Sequence, residues 1–273
     1  MYYTAEQVKT IWKETFAFIQ VDEKDNVLSI KLDRAKKRNA LTPSMVNEIA
    51  FAMAYAHYTP SVWTVVITAN GPVFCAGADM KAFMGQEEAH NSSIPKSEEN
   101  ILLGELFLKS HKPCIAKVQG DAFAGAFLIL CGCHYVLAAE EVNFGLPEVK
   151  RGIWPMQVME SLLQIIPARK VLDWCMLGKT LSCKEAFELG LVTHKANSSE
   201  LDEITQQLID KICSNSPSAI KYGLQAFDEI RTIENAQKHA YLSKMLGKVL
   251  KTDDAKEGIN AFKEKRKPNW TGE

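Results

Sequence analysis

The sequence predicts an α/β chain in which strands and helices alternate up to about residue 198 and only helices follow. Three observations carry this. Short runs rich in β-branched and apolar residues, at 16–21, 27–32, 62–68 and 113–118, have the length of strands and are bounded by turn residues. Helical segments lie between them, the clearest opening at Thr42-Pro43. From Ser199 onward every signal is helical, with Ser216-Pro217 as a second clear start.

Taken in order, 16–21 and 27–32 form a hairpin-like start around the polar turn Asp22-Glu23-Lys24-Asp25-Asn26. Arg34-Ala35-Lys36-Lys37-Arg38 follows, four cations in five residues. Such a cluster is either a solvated loop or a set of charge-assisted donors for phosphate. Thr42 is placed to N-cap a helix with Pro43 at its first position, and Val46, Ile49, Ala50 and Met53 make its apolar stripe. The strand at 62–68 is broken by Asn70-Gly71-Pro72, after which Val73-Phe74-Cys75 leads into Ala76-Gly77-Ala78. Small residues around one glycine make either an ordinary tight turn or a backbone that a ligand can approach closely. Residues 84–100 are polar and aperiodic between ordered segments, which suits a mobile flap beside a site. A helix at 101–108 and a buried strand at 113–118 come next.

Residues 122–131 carry no charged or hydrogen-bonding side chain except Cys131, so a helix there must lie inside the protein. Its first turn, Ala124-Gly125-Ala126, leaves backbone N–H groups uncovered. A helix start has unsatisfied donors and a partial positive charge, and can hold a developing negative charge. A strand at 133–139 leads to Phe144-Gly145-Leu146-Pro147-Glu148, with a lone loop carboxylate. Helices at 156–165 and 168–176, the capping-box pattern Ser182-Cys183-Lys184-Glu185 closed by Gly190, and a strand-like 191–193 complete the mixed part. In the helical end, Leu242, Met245, Leu246, Val249 and Leu250 recur at helical spacing. A stripe this apolar must be covered by the main domain or by another subunit. Lys263-Glu264-Lys265-Arg266-Lys267 then forms a basic tail.

With 47% hydrophobic residues the chain can bury a sizeable core, expected as one main domain with an extension. Its formal charge of -1, 32 basic against 33 acidic residues, points to no nucleic-acid partner, so an anionic ligand must be held locally. Seven cysteines without metal-ligand spacing fit a reducing compartment. No apolar run approaches the ~20 residues of a membrane span. The expectation is a soluble, cytoplasmic protein without a metal.

In sequence order, Arg34 with Asn39-Ala40-Leu41, Phe74-Cys75-Ala76-Gly77-Ala78-Asp79-Met80-Lys81, the stretch 120–125, Phe144-Gly145-Leu146-Pro147-Glu148, and Glu257-Gly258 with Phe262-Lys263-Glu264-Lys265-Arg266 resemble the crotonase, or enoyl-CoA hydratase/isomerase, superfamily. The resemblance implies a spiral of ββα turns at 1–198 that holds an acyl-CoA site, and at 199–273 a helical region that assembles homotrimers or homohexamers. It implies an acyl-CoA thioester as substrate, with coenzyme A entering as part of it and no prosthetic group. Carried onto this chain, the N–H groups of Ala78 and Gly125 would form an oxyanion hole. The nucleotide end would lie near Arg34, Ala76, Asp79, Met80 and Lys81, with Phe262 and Lys265 reaching it from a neighbouring subunit's tail.

The chain departs from the hydratases of this superfamily at one informative position. They carry a second glutamate three residues after the oxyanion-hole glycine, where this sequence has Leu128, while Glu148 matches their loop acid. Hydration needs one group to activate water while a proton reaches carbon. Moving a double bond needs a single base. The expected function is therefore a Δ3-Δ2 enoyl-CoA isomerase of fatty acid or related acyl-CoA metabolism, with Glu148 as proton shuttle. The alternatives are a hydratase with a substitute acid from the flap (Glu87, Glu88, Glu98, Glu99 or His90) and a non-catalytic acyl-CoA-binding subunit.

Overall fold

The computed structural model describes the backbone of residues 1–273 and every side chain but that of Leu108. After a short helix α1 (Ala5–Val8), strands β1 (Ile19–Lys24) and β2 (Val27–Leu32) pair antiparallel, with Lys24 opposite Val27. That register shrinks the expected five-residue turn to Asp25-Asn26, both at positive φ (50° and 67°), which is the conformation a tight two-residue hairpin demands. Strand β1 consequently sits three residues later than the apolar pattern alone places its start.

Helix α2 (Pro43–Tyr58) begins where its sequence says, with the Thr42 hydroxyl accepting the Met45 N–H. It carries Glu48, which is fully buried and accepts the N–H groups of Ala17 and Phe18, tying the amino-terminal segment to the helix. Burial raises the Glu48 carboxyl above its ordinary range despite these bonds.

The chain then winds through repeated turns: β3 (Thr64–Ala69) and β4 (Val73–Cys75), helices α3 (Met80–Phe83) and α4 (Leu103–Leu106), β5 (Cys114–Val118) and β6 (Asp121–Phe123), helix α5 (Phe127–Leu130), then β7 (Tyr135–Ala139) and β8 (Asn143–Gly145). Each turn gives one strand to each of two sheets. The larger sheet has the order β1-β2-β3-β5-β7-β10, with β10 at His194–Ala196, and the smaller β4-β6-β8-β9, with β9 at Thr180–Ser182. Pairing is parallel along β3-β5-β7 and along β4-β6-β8. This is a spiral, and its interior is the apolar core, from Leu28 and Ile30 through Ile67 and Ile115 to Phe144 and Trp174.

Helices α6 (Met156–Leu163) and α7 (Ala168–Leu177) follow, then β9 (Thr180–Ser182), α8 (Cys183–Glu188) and β10 (His194–Ala196). The capping box at Ser182 and Glu185 is formed as the sequence predicts. From Leu201 on the chain is helical: α9 (Leu201–Cys213), α10 (Pro217–Glu229), α11 (Lys238–Val249) and α12 (Asp253–Glu264). Buried Asp254 gathers the N–H groups of Ser218, Thr271 and Gly272, and Trp270 donates to the Ser214 carbonyl, fixing the last helix and tail against α10 and the end of α9. The apolar stripe is left open: Leu246 and Leu250 are 58% and 57% exposed, and Met245 is buried.

Candidate active site

Ala78, Gly125 and Glu148 lie far apart in sequence but leave the carboxyl ends of adjacent parallel strands. Ala78 is three residues beyond β4, Gly125 two beyond β6 and Glu148 three beyond β8. The small sheet thus aims three loops at one place, the edge where ligands collect in parallel α/β sheets.

The first two loops touch. A methyl built on Gly125 would stand 3.3 Å from the Ala78 nitrogen, and one built on Gly77 would stand 3.1 Å from the Gly125 nitrogen and 2.6 Å from the Ala124 Cβ. Only glycine fits at 77, which also has φ +91°. Ala78 forms an isolated parallel bridge with Leu41: the Leu41 N–H donates to Gly77 and the Asp79 N–H to Leu41. In extended backbone successive peptide groups point to opposite sides. The Ala78 N–H therefore points away from Leu41, and Ala78 itself is exposed.

Here the structure corrects the expected helix at 122–131. Residues up to Phe123 are strand, Ala124–Ala126 is a 3-10 turn, and the α-helix covers only Phe127–Leu130. Ala124 takes φ +53°, a conformation alanine rarely adopts. Thus each donor is preceded by a residue at positive φ, Gly77 before Ala78 and Ala124 before Gly125. Two N–H groups brought together on an open surface can hold an oxyanion.

Glu148 sits in the 3-10 turn Pro147–Arg151, half-buried, and its Oε2 is buried without a hydrogen-bond partner. Burial raises its carboxyl above the ordinary range, partly offset by its own backbone N–H and by Arg151. An unpartnered, desolvated carboxylate is a strong base in search of a proton. Leu128 is only partly buried, and its Cδ2 would lie 3.4 Å from a methyl on Gly104, beside Ser161. It lines a mainly apolar cavity of about 720 Å³ that runs between α5, α6 and α10.

The cationic loop backs the loop that carries Gly77 and Ala78. Arg34 is buried; its Nη1 donates to Asp79 Oδ2 (2.9 Å) and the Ala40 carbonyl (3.1 Å). Asp79 N-caps α3. Burial opposes its charge, but the Arg34 hydrogen bond, the Ala82 N–H and the Arg34 charge outweigh that and hold the carboxyl below its usual range. Ala76 donates its N–H to the Arg38 carbonyl, and Met80 and Lys81 stand exposed on α3. Asn39 was not singled out by itself in the sequence, yet it is buried and braces this loop. Its Oδ1 accepts the Arg34 N–H, and its Nδ2 donates to the carbonyls of Asn70 and Val73.

Residues 84–100 contain no helix or strand, and they lie over the start of α2. Glu87 accepts the Ser44 N–H and hydroxyl, Glu88 pairs with Lys37 (2.8 Å) and more distantly with Arg34 (3.7 Å), and Ile94 is buried. Those bonds occupy the carboxylates of Glu87 and Glu88. His90 Nε2 meets the Ser44 hydroxyl, but its Nδ1 accepts the Ser92 N–H, so Nε2 carries the proton and cannot activate Ser44 as a nucleophile. Phe262 (86% exposed) and Lys265 are not brought to this site within the chain. Their helix packs on α10, and the tail after it ends against Pro60 and Trp63, before the start of β3.

The Cys75 thiol accepts the Gly77 N–H, and Cys131 and Cys133 line the cavity beside Leu128. All seven are free thiols, and burial pushes Cys75, next to the oxyanion loop, up to about 12. Among the described residues no helix is long and apolar enough to cross a membrane.

Comparison with known proteins identifies the family. A family model described as enoyl-CoA hydratase/isomerase matches residues 22–273. The enoyl-CoA hydratase EchA19 of Mycobacterium tuberculosis is 31% identical over 255 residues, 92% of this chain and 95% of that protein. The enoyl-CoA isomerase/hydratase fer4 of Mycosarcoma maydis is 28% identical over 269 residues, 94% and 97% of the two chains. The crystal structure of enoyl-CoA hydratase EchA1 from Mycobacterium marinum superposes with a TM-score of 0.82 at 30% identity, covering 93% of this chain and 99% of that one. With a matched family model over nearly its whole length and the same spiral fold, the chain belongs to the enoyl-CoA hydratase/isomerase family of the crotonase superfamily.

Proposed function

We propose that this family member is a Δ3-Δ2 enoyl-CoA isomerase. The observation that carries the reading is the pairing of one unpartnered, buried carboxylate oxygen on Glu148 with an apolar Leu128 where a second acid would stand. Glu148 removes a proton from C2 of a 3-enoyl thioester. The C2–H electrons move into the thioester and place negative charge on its oxygen, between the Ala78 and Gly125 N–H groups. Glu148 then returns the proton at C4, and the double bond comes to rest between C2 and C3. The backbone of the loop after Arg34, with Ala76 and the exposed Met80 and Lys81, receives the nucleotide end, and the apolar cavity past Leu128 suits an acyl tail.

The names of the relatives favour a second reading, hydration, since EchA19 is called a hydratase and fer4 an isomerase/hydratase. The two are separated by offering purified protein 3-enoyl-CoA and 2-enoyl-CoA. Fast isomerisation with hydration slower by about 10²-fold or more, the loss expected for one missing acid or base, supports the isomerase. Hydration at a comparable rate refutes it.

The assembly is proposed as a homotrimer or homohexamer. Leu242 and Leu246 on α11, Leu250 at its carboxyl cap and Phe262 on α12 are uncovered in the single chain, and an apolar face of that kind calls for a partner. In such an assembly Phe262 and Lys265 can serve a neighbour's nucleotide site. Size-exclusion chromatography with light scattering should give three or six chain masses, and a monomer at micromolar concentration would remove the proposal.

A further inference from the structure

The Arg34 guanidinium has little left to offer a ligand. Its side chain is 7% exposed. Nη1 is shared between Asp79 and the Ala40 carbonyl, Nη2 faces Glu88 at 3.7 Å, and the group lies 5.8 Å from the centre of the Phe18 ring. What it does hold is the Ala40 carbonyl on one side of the bridge at Ala78 and the Asp79 carboxylate on the other. Ala40 immediately precedes Leu41 and Asp79 immediately follows Ala78, and Leu41 and Ala78 are the bridged pair. Arg34 is itself held by Asn39, whose side chain reaches the turn between β3 and β4.

Resting on the oxyanion-hole reading, we infer that Arg34 is a positioning residue: through Asp79 and Ala40 it fixes the direction of the Ala78 N–H toward the thioester oxygen. The ion pair is a clamp across the bridge. Without it the Gly77–Ala78 peptide, which carries the donor, keeps the hydrogen bond from the Leu41 N–H to its Gly77 carbonyl but loses the side-chain anchor on the residue after Ala78 that prevents it from twisting. A donor turned off the oxygen stabilises an enolate far less than one aligned with it. A role confined to the nucleotide would weaken the grip on coenzyme A and leave the oxyanion hole intact.

The two roles separate with a thioester that has no nucleotide. Acetoacetyl-N-acetylcysteamine and acetoacetyl-CoA both ionise to enolates that absorb in the near ultraviolet, so the bound enolate fraction at fixed pH reports the oxyanion hole without any turnover. The wild-type protein is expected to raise that fraction for both probes. Arg34→Ala is expected to reduce the enolate-to-neutral ratio of both bound probes by about 10- to 100-fold, the cost of one misplaced group. Affinity for free coenzyme A should change by less than about 3-fold, within what a weak, solvent-screened contact is worth. Asp79→Asn keeps the helix cap while removing the charge pair, so it covers the case in which Arg34→Ala does not fold, and it should shift the same ratio in the same direction.

An unchanged enolate ratio in folded Arg34→Ala or Asp79→Asn overturns the inference. So does a pattern in which only coenzyme A affinity and the acetoacetyl-CoA signal fall while the truncated probe is unaffected. Failure of the wild-type protein to raise the enolate fraction of either probe overturns the oxyanion assignment itself, which is a different result from failure of the clamp.

Discussion

Glu148→Gln is expected to lower the rate of 3-enoyl-CoA isomerisation by about 10²- to 10⁴-fold, the range for losing one general base. Glutamine keeps the shape and cannot accept the C2 proton, so the loss should appear in kcat, with substrate binding little changed. The raised carboxyl adds two checks. As a base Glu148 works only when ionised, so kcat/KM of the wild type should fall with decreasing pH through a limb displaced above the ordinary carboxylate range. The sign for stability runs the other way. A carboxyl whose folded pKa is raised binds more protons in the folded state, so stability is lost as pH rises from its ordinary value through the raised one. Glu148→Gln removes that burden, and its Tm should exceed the wild type at neutral pH and converge on it below the ordinary carboxylate range. Isomerisation that survives the substitution would end the proton-shuttle assignment.

Gly77→Ala is the second large effect. At φ +91° the added Cβ is strained in any surroundings, and it would stand 2.6 Å from the Ala124 Cβ and 3.1 Å from the Gly125 nitrogen. Both neighbours belong to the loop that carries the other donor, so relief comes only by pushing the two loops apart. One oxyanion donor is worth about 10²- to 10³-fold in rate, and kcat should fall by at least that much. The conformational part should also lower stability by about 1–2 kcal/mol, seen as a reduced denaturation midpoint. A variant with near-normal turnover would show that these loops do not form the anion site.

Much of this site could be read before the structure, and the unread part has a physical pattern. Thr42-Pro43, the capping box at Ser182 and the small residues around Gly77 are local signals, because caps and tight turns are decided by a few neighbouring residues. The stretch 122–131 misled because a short apolar run is equally at home in a buried strand and a buried helix, and nothing about alanine announces a positive φ at 124. The Arg34–Asp79 pair spans 45 residues, and Asn39 reaches residues 70 and 73. Glu48, on an otherwise apolar helix, finds its partners at residues 17 and 18. Each of these is settled by how the spiral closes. Family resemblance pointed to Ala78, Gly125 and Glu148, and only the strand order of the small sheet explains why three loops so far apart in sequence should meet.

In the proposed mechanism, the residues at positive φ ahead of the two donors determine how the site responds when charge appears. A water molecule must turn to face a new anion, and that turning is part of the barrier in solution. Here the direction of each N–H follows from backbone angles held in place before any ligand arrives, with Ala124 kept in a conformation its own side chain disfavours. The folded chain bears that local strain whether the site is empty or full, so it is no part of the climb to the enolate. The reorganisation that solvent would need at each turnover has been done once, during folding.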